Sequence, residues 1–231
     1  MRMSAFDTVI QALHRAQVSY LVAGGVAVNA HGYIHYTPGI DLAIDVKADN
    51  ILFAIQALAT IGYHSATQID AEALAASKMH MSGKQPVADL IGFQCVDDES
   101  THVNLFVTSD MDFAQEHAQA LRSEILPDVE VCFICIATLI RQKQITNRLR
   151  DLDAIQHLQW LQEDYSHIDE NDEDFLWSMT SFEGARKMQL IQAKKLSVRQ
   201  RLECLDDLRE VCKRLRKMRC TSNKYRVGGD Q

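Results

Sequence analysis

Two adjacent glycines, Gly24 and Gly25, end the apolar run Tyr20 to Ala23 and open the short segment Val26 to Ala30, which His31 and Gly32 close. Glycine at such a junction lets the chain turn sharply, and it lets a phosphate approach the N–H groups at the start of a helix. The next apolar run, Ile40 to Val46, carries an acid, Asp41. A strand, a glycine turn, a short helix and an acidic strand together offer a phosphate cradle beside a carboxylate. Cys132 and Cys135 have CxxC spacing. They sit inside a β-branched apolar run with no second pair nearby, so the reading is core packing rather than zinc or redox chemistry. His31 reads as structural, closing its helix against the following loop. No serine or cysteine nucleophile is accompanied by a recognisable base.

The elements that must position these residues follow from periodicity. Phe6, Ile10 and Leu13 predict a helix over 4–17, and residues 18–23 a first strand. The pattern then predicts a short helix over 26–30, a strand over 40–46 and a helix over 50–61, with Gly62 as its C-cap. Two strands, 86–93 and 102–107, are expected around an acidic turn at 96–100, while 64–85 has no clear period. A helix over 113–121, a strand over 129–136 entered through Pro127-Asp128, and helices over 138–143 and 150–161 complete the body. Helices alternating with strands, plus one antiparallel pair, give an α/β (α+β) fold class with a mixed sheet flanked by helices.

At the glycine pair and the residues after it, the chain resembles the nucleotidyltransferase superfamily of the DNA polymerase β-like fold. Within it, the small prokaryotic proteins of toxin–antitoxin and abortive-infection systems are most alike. Their pattern, GG-x-A-x-x-x-H-G-x-x-R-x-T-x-D-h-D-h, is met by Gly24, Gly25, Ala27, His31, Gly32, Thr37 and Asp41. His35 stands where arginine is usual and Gly39 where the first aspartate is usual. Downstream, Asn104 in Val103 to Val107 takes the place of the third carboxylate, and Leu139-Ile140-x-x-Lys143 with Arg148 and Asp151 matches the family's L-I-x-x-K-x-x-x-x-R-x-x-D. The resemblance spans residues 5–161.

It implies transfer of a nucleoside monophosphate from an NTP to a protein or RNA hydroxyl, with two Mg²⁺ ions ~3.5–4 Å apart. Asp41 is then the catalytic acid, and Asp41 and Asn104 the metal-facing residues. Gly24, Gly25, Lys143 and His35 are the phosphate contacts. Carboxylates at i and i+2 of a strand lie ~6.8 Å apart on one face, which suits such a clamp. Here three carboxylates fall to one, since an amide brings no charge and Gly39 brings no side chain. Asp45 is two pleats from Asp41, too far to substitute, and Asp89 is the other candidate replacement. Two readings therefore stand: a transferase with impaired Mg²⁺-dependent chemistry, or an inactive binding and regulatory protein of toxin–antitoxin type.

Residues 1–174 hold 10 basic and 25 acidic side chains, whereas residues 175–231 hold 14 and 6. This divides the chain into a nucleotidyltransferase-like domain (1–162), an acidic linker (163–174) and a basic helical module (175–231). The module reads as a hairpin of helices over 182–193 and 198–218, with Ser197 to Gln200 as a capping box. Docking of its basic face on the acidic body or on a protein partner needs no further assumption; nucleic acid is the competing partner. An apolar content of 47% excludes a disordered chain, and no apolar run approaches the ~20 residues of a membrane span. The N-terminus reads as an amphipathic helix rather than a signal peptide, and six cysteines in apolar runs as reduced thiols, so a cytoplasmic location is expected.

Overall fold

The helical spacing of Phe6, Ile10 and Leu13 does build one buried face, and α1 runs Met3–Arg15. A computed structural model describes residues 1–65, 89–95, 101–107, 111–163, 177 and 180–226. The acidic turn 96–100, most of 64–85 and nearly all of the acidic linker lie outside the described residues. After α1 come β1 (Tyr20–Ala23), α2 (Gly24–His31), β2 (Gly39–Ile44), α3 (Ala48–Thr60) and β3 (Tyr63–Ser65). They are followed by β4 (Asp89–Cys95), β5 (His102–Val107), α4 (Phe113–Gln119), β6 (Leu121–Leu126) and β7 (Val129–Phe133). The chain continues through α5 (Ile136–Thr146), α6 (Leu149–Leu161), α7 (Phe182–Lys194) and α8 (Val198–Arg226).

The strands form one mixed sheet in the order β3-β4-β5-β2-β1-β7-β6. β2 and β5 run parallel, as do β1 and β7, and the remaining neighbours are antiparallel. The α+β fold class with a mixed sheet is thus observed. β3 and β6 are additions to the sequence reading. Leu121–Leu126 follows a helix with no glycine or proline between them, and the sequence pattern ends that helix at Leu121 and assigns no element to 122–126. As an edge strand it turns Arg122 and Glu124 outward, and the positive φ of Asp128 (62°) closes its hairpin to β7.

The pleat separates the two faces of the sheet. Val22, Ile40, Leu42, Ile44, Ile91, Phe93, Val103, Leu105, Val131 and Phe133 point to one side and join a core with α1, α2, α3, α6, α7 and α8. Each fully buried aliphatic or aromatic side chain there contributes ~1.5–3 kcal/mol. On the other side, among the described residues, a small cluster forms, with Leu21, Ala43 and Cys132 packed under Met111, Phe113 and Ala120.

α7 and α8 close onto the body through the same core, since Leu190, Leu202 and Leu205 belong to it. Arg199 grips Asp7 with both terminal nitrogens, at 2.5 and 3.1 Å. Arg201 donates to the Ala30 carbonyl at the end of α2 (2.6 Å), and Arg186 to Asp153 of α6 (2.7 Å). No helix among the described residues is long and apolar enough to cross a membrane.

Candidate functional site

Register decides which side chains meet. β2 and β5 pair in parallel with Gly39 opposite His102 and Asp41 opposite Asn104, while β4 places Gly92 opposite Asn104. These residues occupy the face opposite the main core, next to the junction of β1 with α2. Asp41 and Asn104 are in direct contact, and the Asn104 Nδ2 donates to Asp41 Oδ1 at 2.8 Å. An ionised carboxylate only accepts, so this contact fixes the orientation of the amide and leaves its Oδ1 on the Gly92 side.

The glycines report what fills the surrounding space. Gly24 takes a left-handed conformation (φ +59°), and a Cβ there would overlap the Asp41 carboxylate, lying 2.7 Å from its Cγ and 2.9 Å from its Cβ. A Cβ on Gly25 would lie 2.7 Å from that of Thr37. The pair therefore admits the protein's own side chains, and the anion lodged against the start of α2 is Asp41. At Gly39 the space is taken by the His102 imidazole, whose Cδ2 and Cε1 would be 2.5 and 3.0 Å from an added Cβ. The position where the resemblance implies a first carboxylate is thus covered by an imidazole. Gly92 differs, because a Cβ there would meet only Asn104 Oδ1 at an ordinary 3.8 Å.

Lys143 and His35 lie near each other, and each has a set of contacts that does not include Asp41. Lys143 has a side chain only 14% exposed and turns to Asp151, Nζ to Oδ1 3.6 Å. Asp151 Oδ2 also accepts from Thr146 Oγ1 (2.9 Å) and from the Arg148 amide (3.2 Å), so the family-like Lys, Arg and Asp serve each other at the α5–α6 turn. Burial works against ionisation of Asp151, but the bonds from Thr146 and Arg148 and the Lys143 charge hold its carboxyl below the usual range. His35 stacks on Tyr33, which stacks on His157, with ring centres 5.1 and 3.8 Å apart. Asn29 pins the His35 backbone from both sides, accepting its N–H at 2.8 Å and donating to its carbonyl at 3.0 Å. Tyr33 donates to Asp153, which also holds Arg186 of α7. Burial, reinforced by the Lys143 charge, keeps His35 below the usual imidazole range, although its bond to the Tyr33 carbonyl opposes this. A neutral, stacked ring is a poor stand-in for a phosphate-binding arginine.

His31 reaches across to the Ile134 carbonyl (2.8 Å), tying α2 to the end of β7, and burial lowers its pKa as well. Both imidazoles are harder to protonate folded than unfolded. Their stability contribution is present above the unfolded value of about 6.5 and is lost as pH falls below it towards their depressed folded values. The urea midpoint should therefore decline from about pH 6.5 downward, before any carboxylate titrates. A His31→Gln/His35→Gln protein should lose that early decline.

Sequence reasoning missed His102 because its importance depends on a parallel register with Gly39. The signal was present: a histidine two residues before Asn104 shares its face. Asp89 pairs with Val107, in the register set alternate to Gly92 and Asn104, and Asp45 binds Lys47 at 2.9 Å. Asp45 is thus engaged away from Asp41, and the backbone register puts Asp89 on the other face of the sheet from Asn104. Cys132 faces His117 Nε2 at 3.6 Å, while Cys135 lies 3.7 Å from Glu116 Oε2, so the two thiols have separate partners. Burial pushes the Cys132 thiol up.

The donor set does not fit a two-Mg²⁺ centre. It holds one carboxylate, with one oxygen already bonded to an amide N–H and an imidazole alongside, where hard cations take several oxygen ligands. Among the described residues no group of three or more His, Cys, Asp or Glu is placed to hold a metal.

No protein-family model matches the chain, and no curated protein matches it. Among solved structures it is similar to the crystal structure of JHP933 from Helicobacter pylori, at 11% identity and a TM-score of 0.41, over 94% of this chain and 96% of that one. A likeness that loose carries no conclusion about activity.

Proposed function

We propose that this chain is a nucleotidyltransferase-type protein that does not run two-metal nucleotide transfer and acts by binding, as a regulatory component of toxin–antitoxin type. One observation carries the reading. Of the three positions where the resemblance implies carboxylates, one is Gly39 beneath the His102 ring, one is Asn104, and the third, Asp41, is held by that asparagine. The Asn104 amide N–H already satisfies one oxygen of the lone carboxylate, and the His102 ring fills the place where a second carboxylate would stand. The closed contacts of Lys143 and His35 support the same reading, since neither is presented to a triphosphate.

The test is incubation with each labelled NTP and Mg²⁺ or Mn²⁺, read as label on protein or added RNA. The expected result is no label above that of Asp41→Asn, and no metal-dependent rise in Tm with nucleotide. Metal-dependent labelling that Asp41→Asn abolishes would overturn the proposal in favour of an impaired transferase. Rebuilding the carboxylates needs three changes, because Gly39→Asp alone drives its Cβ into His102. The Gly39→Asp/His102→Ala/Asn104→Asp protein should gain metal-dependent nucleotide stabilisation that the parent lacks.

A further inference from the structure

α8 is longer than the body it packs on. Leu202 and Leu205 are fully buried and Leu208 is half-buried against the core. Farther along, a second apolar stripe lies on another side of the helix, beginning at Val211, nine residues and about 180° around from Leu202: Val211 is 50%, Leu215 57% and Met218 58% exposed. Leu208, Val211, Leu215 and Met218 are spaced 3-4-3, the a and d positions of a heptad, and at 3.6 residues per turn they fall within an arc of about 80°. So narrow a stripe is the seam of a coiled coil rather than the broader face of a helix lying on a core or a lipid surface. Charge adds a second constraint. From 211 to 226 the sequence holds seven Lys and Arg and no Asp or Glu, and Arg214 and Arg219 take the g and e positions beside the seam.

We propose that the distal half of α8 is a docking surface for an acidic amphipathic helix of another protein. Aliphatic residues of that helix cover Val211, Leu215 and Met218, and its flanking carboxylates face Arg214. The charge count argues against a second α8 as occupant, because two such helices side by side set seven cations against seven. It also argues against nucleic acid as the main partner, since phosphates satisfy the cations and leave the aliphatic seam in water. The proposal stands apart from the reading of the Asp41 cleft and survives if that reading fails.

The test uses the full chain and a labelled synthetic peptide of about four heptads with Leu at a and d and Glu at e and g, whose like charges oppose self-pairing. A peptide of the same composition with scrambled order is the control. The heptad peptide is expected to bind at least ten times more tightly than the scrambled one. Val211→Gln/Leu215→Gln, which keeps the charge, should weaken it about tenfold, and Arg214→Glu should weaken it and flatten its salt dependence. Both sets of changes lie at exposed positions, so an unchanged Tm confirms the fold; Val211→Ala/Leu215→Ala serves if the glutamine pair lowers it. Equal binding of the scrambled peptide overturns the proposal. So does tighter binding to phosphatidylserine vesicles or to a DNA duplex, or a dimer in sedimentation that the glutamine pair dissociates.

Discussion

Gly24→Ala is expected to cost about 3 kcal/mol or more of stability, a large effect for a single methyl group. Two causes add. The φ of +59° is strained for any residue with a Cβ, and the new methyl would overlap the Asp41 carboxylate. The two are separable by a double-mutant cycle in urea. Asp41→Ala removes the overlapping carboxylate but leaves its own Cβ, which would lie 2.9 Å from the alanine methyl. Asp41→Ala should therefore recover only part of the loss and Asp41→Gly more of it, while the backbone strain stays with either. A Gly24→Ala protein as stable as the parent would show that the Asp41 carboxyl does not rest against this turn. The whole geometry of the candidate site would then need redrawing.

Leu202→Ala should cost about 3 kcal/mol, within the ~2–5 kcal/mol of fully buried leucines. It should also lower the midpoint of one transition that involves the entire described body. Leu202 is fully buried in the cluster that contains Phe6, Ile10 and the strands, and Arg199 beside it holds Asp7 of α1. Sequence composition divides the chain sharply at the acidic segment, so an independently folding tail is the contrasting expectation. An independent module would show a second, earlier transition shifted by Leu202→Ala while the main one stays in place. Followed by tryptophan fluorescence and by far-UV circular dichroism, the coincidence of the two curves decides between them.

The sequence revealed the elements whose burial is periodic and the residues whose chemistry is missing. The α1 stripe and the alternation of β5 predicted their elements within a residue or two, because one face of each is continuously apolar. The β6 strand escaped because its outward charges and helical lead-in resemble the tail of α4. At the site, the replacement of carboxylates by Gly39 and Asn104 was plain from residue types alone. That His102 covers Gly39 was not, since it follows from a pairing between residues 63 positions apart, Gly39 with His102. Lys143 matched a phosphate-binding pattern, yet the same pattern contains Asp151, its partner in the fold. Local spacing shows which residues are near in sequence; the parallel register of β2 and β5 determines which of them share charge.

Binding of Mn²⁺, followed by the loss of its free electron paramagnetic resonance signal with and without added ATP, tests the central claim most directly. The parent and Asp41→Asn proteins should give superimposable titrations, as expected when Asn104 rather than a cation satisfies that carboxylate. Nucleotide-dependent uptake of two Mn²⁺ ions by the parent, lost in Asp41→Asn, would contradict it.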